Sequence, residues 1–132
     1  MLGEMIGETN GKRIVRRVLG SEPVAVEVSF EDTGKLAGAT TVGFGTYTSM
    51  ISADGSIYGQ GEGGAATQDG ELITWKGSGL GKLKPGGAVS YRGILYFKTS
   101  SQKLAKLNNV AGVFELEIDP EGKMHNKIWE WK

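Results

Sequence analysis

The chain has no cysteine, three prolines and one histidine in 132 residues, and only 8% of its residues are aromatic. Without cysteine there is no disulfide framework and no thiolate ligand set. His125 stands alone, with no H-x-H or H-x-x-x-H spacing, so a metal site has no starting group; neither metal nor cofactor is expected. The longest apolar run is "ILYF", far below the ~20 residues of a bilayer span, and "MLGEMIGETNG" carries two glutamates where a secretory signal would be apolar. A soluble, cytoplasmic protein without membrane contact is expected, as one domain over residues 1–132. There is no G-x-S-x-G, hence no nucleophile elbow.

An excess of either charge is missing too. Fifteen basic and fifteen acidic residues cancel, which argues against nucleic acid as a partner. The distribution is uneven, however. Residues 72–114 hold seven bases, Lys76 to Lys106, and no acid. Either these basic strands lie beside acidic ones, or the segment attracts an anionic ligand.

What the chain has in abundance is glycine, 22 residues against a usual ~7%. Some mark turns: "NGK" at 10–12, "TGK" at 33–35, "ADGS" at 53–56, "QDGE" at 68–71, "KPGG" at 84–87 and "PEGK" at 120–123. Between them the hydrophobic period is two. "VAVEVSFE" sets Val24, Val26, Val28 and Phe30 against Glu27, Ser29 and Glu31, and Phe114, Leu116 and Ile118 oppose Glu115 and Glu117. Strands are predicted near 3–8, 12–19, 23–32, 39–53, 56–67, 70–82, 87–99, 110–119 and 123–132. One short helix is predicted in "SSQKLAKLNN", capped by Ser100 or Ser101, with Leu104 and Leu107 on one face, as a connector or a plug over a barrel mouth. The fold expected is all-β: an antiparallel meander closed into a small barrel of about eight strands, with a two-sheet sandwich as the alternative.

Gly59, Gly61 and Gly64 match G-x-G-x-x-G, yet "ELITWKGSGLGK" follows as strand and leaves no room for the helix a dinucleotide site needs. The interior glycines instead let a sheet coil and make room beside large side chains. If Asp54-Gly55 and Asp69-Gly70 are two-residue turns, Glu62 lies opposite Gly77 and Gln60 opposite Gly79. One surface then carries Tyr47, Ser49, Ile51, Tyr58, Gln60, Glu62, Ile73 and Trp75, joined by Arg92 through a Pro85-Gly86 turn. The other carries Val42, Phe44, Met50, Leu72 and Leu80, is more apolar, and is expected inside.

Tyr47, Tyr58, Gln60, Glu62, Trp75 and Arg92 are the candidate ligand-binding residues, a polar pocket with aromatic walls for a small hydrophobic or anionic molecule. Glu62 as base and Arg92 as electrostatic stabiliser are the catalytic candidates. The plainer and preferred alternative is an outward face with an ordinary ion pair, its aromatics covered by a second subunit of a homo-oligomer. Trp129 and Trp131, on the last strand, suit a barrel seam or an interface.

The run "GFGTYTSMISADGSIYGQGEGGAATQDGELITWKGSGLGK", within roughly residues 40–100, resembles small bacterial proteins of the allene oxide cyclase barrel-like fold. The resemblance implies an eight-stranded antiparallel barrel, commonly oligomeric, with a cavity; plant relatives cyclise a fatty-acid epoxide or guide radical coupling. No motif carries their functional residues here. A small-molecule-binding barrel is therefore the first functional expectation. A cofactor-independent isomerase or cyclase, and a structural homo-oligomer with a filled barrel, are the alternatives.

Overall fold

A computed structural model describes residues 1–132. Eight antiparallel strands follow one another around a closed barrel: β1 Leu2–Ser21, β2 Val24–Leu36, β3 Ala39–Ile51, β4 Ser56–Thr67, β5 Leu72–Leu83, β6 Val89–Thr99, β7 Ala111–Ile118 and β8 Lys123–Trp131. Closure pairs β8 with β1 and leaves Trp129 opposite Met5 and Trp131 opposite Leu2 on that seam. No helix is long and apolar enough to cross a membrane.

The expected segments 3–8 and 12–19 are one strand. Asn10-Gly11-Lys12 is not a turn, since Gly11 pairs with Asp32 on one side and Met124 on the other. Thr33-Gly34-Lys35 likewise lies inside β2. At both places glycine admits close packing of the neighbouring strand, where a β-carbon would collide with backbone.

The Asp-Gly turns are real, but each is one residue longer than a two-residue turn. Ser52 N–H donates to Ser56 O and Gly55 N–H to Ser52 O, both at 2.9 Å, closing a three-residue loop over Ala53-Asp54-Gly55. The same pattern recurs at Gln68-Asp69-Gly70 and Pro120-Glu121-Gly122. In each loop the last residue has positive φ, +86° at Gly55, +80° at Gly70 and +91° at Gly122, the bulge geometry that glycine tolerates. Because the side-chain period is two, this single extra residue turns β4 over relative to β3.

No α-helix forms. "SSQKLAKLNN" makes one turn of 3-10 helix at Ala105–Asn109, and a second such turn occupies Pro85–Gly87. A segment this short cannot repay helix nucleation by itself. Its position is fixed by side chains instead: Asn108 accepts from Thr99 N–H at 2.9 Å and donates to Thr99 O at 3.0 Å, and Ser101 Oγ accepts from Leu104 N–H at 3.3 Å. Leu104 and Leu107 are thereby pressed into a cluster with Leu36, Ile73, Leu95, Phe97 and Ile128. Burying two leucines contributes roughly 1.5–3 kcal/mol each. A smaller cluster, Ile57, Tyr91, Ile118 and Met124, fills the barrel towards its other end. Between the two lies open space.

Candidate functional site

The interior face follows from the observed registers. Phe30, Gly45, Gly63, Trp75 and Phe97 form one row across β2 to β6. A β-carbon on Gly45 would sit 2.6 Å from Trp75 Cζ2 and 2.9 Å from Phe30. With glycine there, the two rings lie over bare backbone and stack at 6.1 Å between centroids, 30° between planes. The resulting cavity measures about 120 Å³, and Phe30, Tyr47, Trp75, Tyr91, Phe97 and Phe114 supply its aromatic wall.

Tyr47 stands edge-on to Tyr91 at 5.9 Å and tilted to Phe30 at 6.1 Å. The Tyr91 hydroxyl shares a 2.5 Å hydrogen bond with Ser49 Oγ. Burial raises the Tyr47 phenol far above its usual range, with Tyr91 adding to the effect and Arg13 and Arg16 opposing it. Tyr91 is raised by burial as well. Both phenols are therefore neutral hydrogen-bonding groups at ordinary pH. Burial, followed by repulsion from Arg16, lowers the Arg13 guanidinium; it stays charged nonetheless, as arginine does in proteins.

A second polar group stands where β8, β1 and β2 meet. Asp32 continues the inward face of β2 beyond Phe30 and is flanked on the adjacent strands by Gly11 and Gly43. Its carboxylate lies over Gly43, where a β-carbon would overlap Oδ1. Burial raises the proton affinity of Asp32, and a hydrogen bond from the Thr9 side chain opposes that shift. Thr9 pairs with Asn126 across the seam. Asn126 Oδ1 is buried and has no hydrogen-bond partner, although buried polar atoms are almost always paired. Thr9, Asp32 and Asn126 all line the cavity.

These registers redistribute the residues expected to form a site. Tyr47 and Trp75 line the cavity. Tyr58, Gln60 and Glu62 project outward, because the longer Asp-Gly loops turn β4 over; only the main-chain neighbourhood of Gln60 borders the cavity. Arg92 also projects outward: the loop between β5 and β6 pairs Leu83 with Val89, displacing the expected register. Its side chain is 76% exposed, and the guanidinium meets Glu115 at 3.2 Å. Glu62 pairs across the ladder with Thr46 and Lys76, not with Arg92. The more apolar surface is likewise outside at Val42, Phe44, Met50, Leu72 and Leu80, all of them exposed.

The basic run of residues 72–114 meets acids beside it: Arg92 with Glu115, Lys84 with Glu117 at 3.4 Å, and Lys103 with Asp69 at 2.7 Å. His125 pairs with Glu8 at 2.6 Å. Sequence reasoning missed Asp32, Asn126 and Tyr91 as residues that line the cavity. For Asp32 a signal existed. It falls two residues after Phe30 on the apolar face of "VAVEVSFED", so an inward carboxylate was implied by alternation alone.

No protein-family model matches the chain, and no curated protein matches it in sequence. Solved structures do share its fold. A β-barrel-like protein from Acinetobacter baumannii superposes with a TM-score of 0.84 at 14% identity, over 100% of this chain and 96% of that one. A conserved protein of unknown function from Rhodopseudomonas palustris gives 0.81 at 13% identity, over 98% and 97%. An enzyme from Penicillium herquei gives 0.66 at 18% identity, over 96% and 92%. At such identities the likeness establishes the barrel and carries no chemistry with it.

Proposed function

We propose that the barrel binds a small, flat, partly apolar molecule. One observation supports this above the rest: about 120 Å³ of aromatic-walled space persists between two packed clusters. Protein interiors of this size are normally filled, which weighs against a purely structural barrel. An apolar cavity of about 150 Å³ accepts benzene, so the space suits one ring. Calorimetric titration with single-ring compounds tests the reading. Saturable binding is expected, abolished by Ala65→Leu, which places a larger side chain in the cavity wall. Absence of binding by every such compound would end the proposal.

Whether the molecule is anionic is a matter of two opposing groups. Arg13 and Arg16 act on Tyr47 through their charge from outside the cavity lining and favour an anion from a distance, and Asp32, in the lining itself, disfavours one. The likeness to the allene oxide cyclase barrel-like fold suggests a second reading, cofactor-independent isomerisation. The observation on its side is a half-buried carboxyl of raised proton affinity that lines the cavity. A bound molecule that exchanges carbon-bound hydrogen for solvent deuterium would support that reading, and unchanged isotope content would remove it.

We also propose that the chain forms a homo-oligomer through its outer face. Met50, Tyr58 and Leu80 make a continuous row across β3, β4 and β5 and are 45%, 47% and 69% exposed. Contiguous apolar side chains of this kind mark contact surfaces.

A further inference from the structure

We propose that the Thr9–Asp32–Asn126 end of the cavity selects a hydrogen-bond donor, so that the molecule bound is a single-ring amine or phenol. The inference rests on the binding reading above and specifies its chemistry. Three observations lead to it. First, Asn126 Oδ1 is a buried acceptor without a partner, and an acceptor left so costs its full desolvation. Second, Asp32 is set into the same wall between Gly11 and Gly43, and it is the bare backbone of Gly43 that makes the room its carboxylate occupies. Third, among the polar groups of the wall only the Thr9 side chain reaches Asp32, which leaves that carboxylate further lone pairs, and none reaches Asn126 Oδ1.

A ligand that carries only acceptors would leave Asn126 unpaired and place its lone pairs against a carboxylate. A ligand with an N–H or O–H offers these acceptors a donor: a phenol has one such hydrogen and can pair with one of them, and an aniline has two. The volume limits the body of that ligand to about one ring, and the Phe30–Trp75 pair supplies a flat apolar surface against which it can lie. Affinity and selectivity therefore reside in different parts of the wall. The rings hold any apolar disc; the polar end distinguishes among discs by their substituent.

The test is a titration with four probes of similar size: phenol, aniline, toluene and benzoate. Phenol and aniline are expected to bind about tenfold more tightly than toluene, the factor a charge-assisted hydrogen bond supplies, and benzoate more weakly than toluene. In Asp32→Leu and Asn126→Leu that preference should shrink towards parity while toluene binding persists, which also demonstrates that each variant is folded. Equal binding of phenol and toluene by the unaltered protein would overturn this inference and leave the binding reading standing. A preference for phenol that survives in both variants would overturn the assignment to these residues. Failure of all four probes to bind would overturn the inference together with the reading on which it rests.

Discussion

Phe30 and Trp75 stack at 6.1 Å although they sit three strands apart in one row of the barrel. Three strand spacings amount to about 14 Å along the sheet, so the rings must reach towards each other over the two residues between. Those residues are Gly45 and Gly63. Curvature brings the strands inward, and the missing side chains leave the rings somewhere to lie.

Gly45→Ala tests this directly. The nearest atoms to the new β-carbon belong to the two rings, the closest at 2.6 Å, so the strain falls on the stacked pair. Overpacking of a filled interior costs about 1–3 kcal/mol. A lowered urea midpoint with an unchanged slope is expected, accompanied by an altered near-ultraviolet circular dichroism signal from Trp75. Wild-type stability with an unchanged signal would mean that the glycine is there for some other reason.

Much of this arrangement could be read from the sequence, and the part that could not has a definite cause. Alternation alone placed Val28 and Phe30 on one face of β2, and Phe114, Leu116 and Ile118 on one face of β7, all of which point inward. Turn positions at Asp54-Gly55 and Asp69-Gly70 were equally legible. Loop length was not. Asp-Gly serves both as a two-residue turn and as the end of a three-residue loop, and here Asp54 Oδ1 accepts from Ser56 N–H at 2.9 Å and from Ser56 Oγ at 2.6 Å within the longer form. One extra residue at the first loop turned β4 over and carried Tyr58, Gln60 and Glu62 outside. The second loop reversed the face again, which is why Tyr47 and Trp75 still share the interior.

Leu107 should be among the most sensitive positions. Its side chain is fully buried, although it belongs to a single helical turn that has almost no stability of its own. Leu107→Ala removes buried methyl groups and leaves a void beneath the turn, at a cost of about 2–5 kcal/mol. Thermal or urea unfolding measures it. A loss below ~0.5 kcal/mol, typical of surface substitutions, would indicate that the turn does not plug the barrel.

The outer face makes a prediction about mass. Leu80→Glu and Tyr58→Glu each put a charge into the Met50–Tyr58–Leu80 row without touching the interior. Light scattering should record a smaller particle for both than for the unaltered protein, with the β-sheet circular dichroism retained. A single-chain mass before substitution, or the same larger mass after both, would remove the proposed oligomer contact.

Asp32 gives stability a pH dependence whose sign can be derived. Burial raises its folded-state pKa above the unfolded value, near 3.9 for an ordinary aspartate. Between these two values the folded chain binds more protons than the unfolded chain, so stability from this group falls as pH rises. The penalty is fully developed above the folded pKa and absent below the unfolded one. Asp32→Asn keeps the shape and removes the titration. The variant should therefore be more stable than wild type at neutral pH, and the difference should move against the variant as pH falls through the folded pKa towards about 4. Other carboxylates, among them Asp54 and Asp69 with lowered values, are common to both proteins and cancel in the comparison. Urea unfolding of the pair at a series of pH values measures the difference. A difference that stays constant with pH would mean that Asp32 titrates like an exposed aspartate and that its carboxylate is not held in the cavity wall.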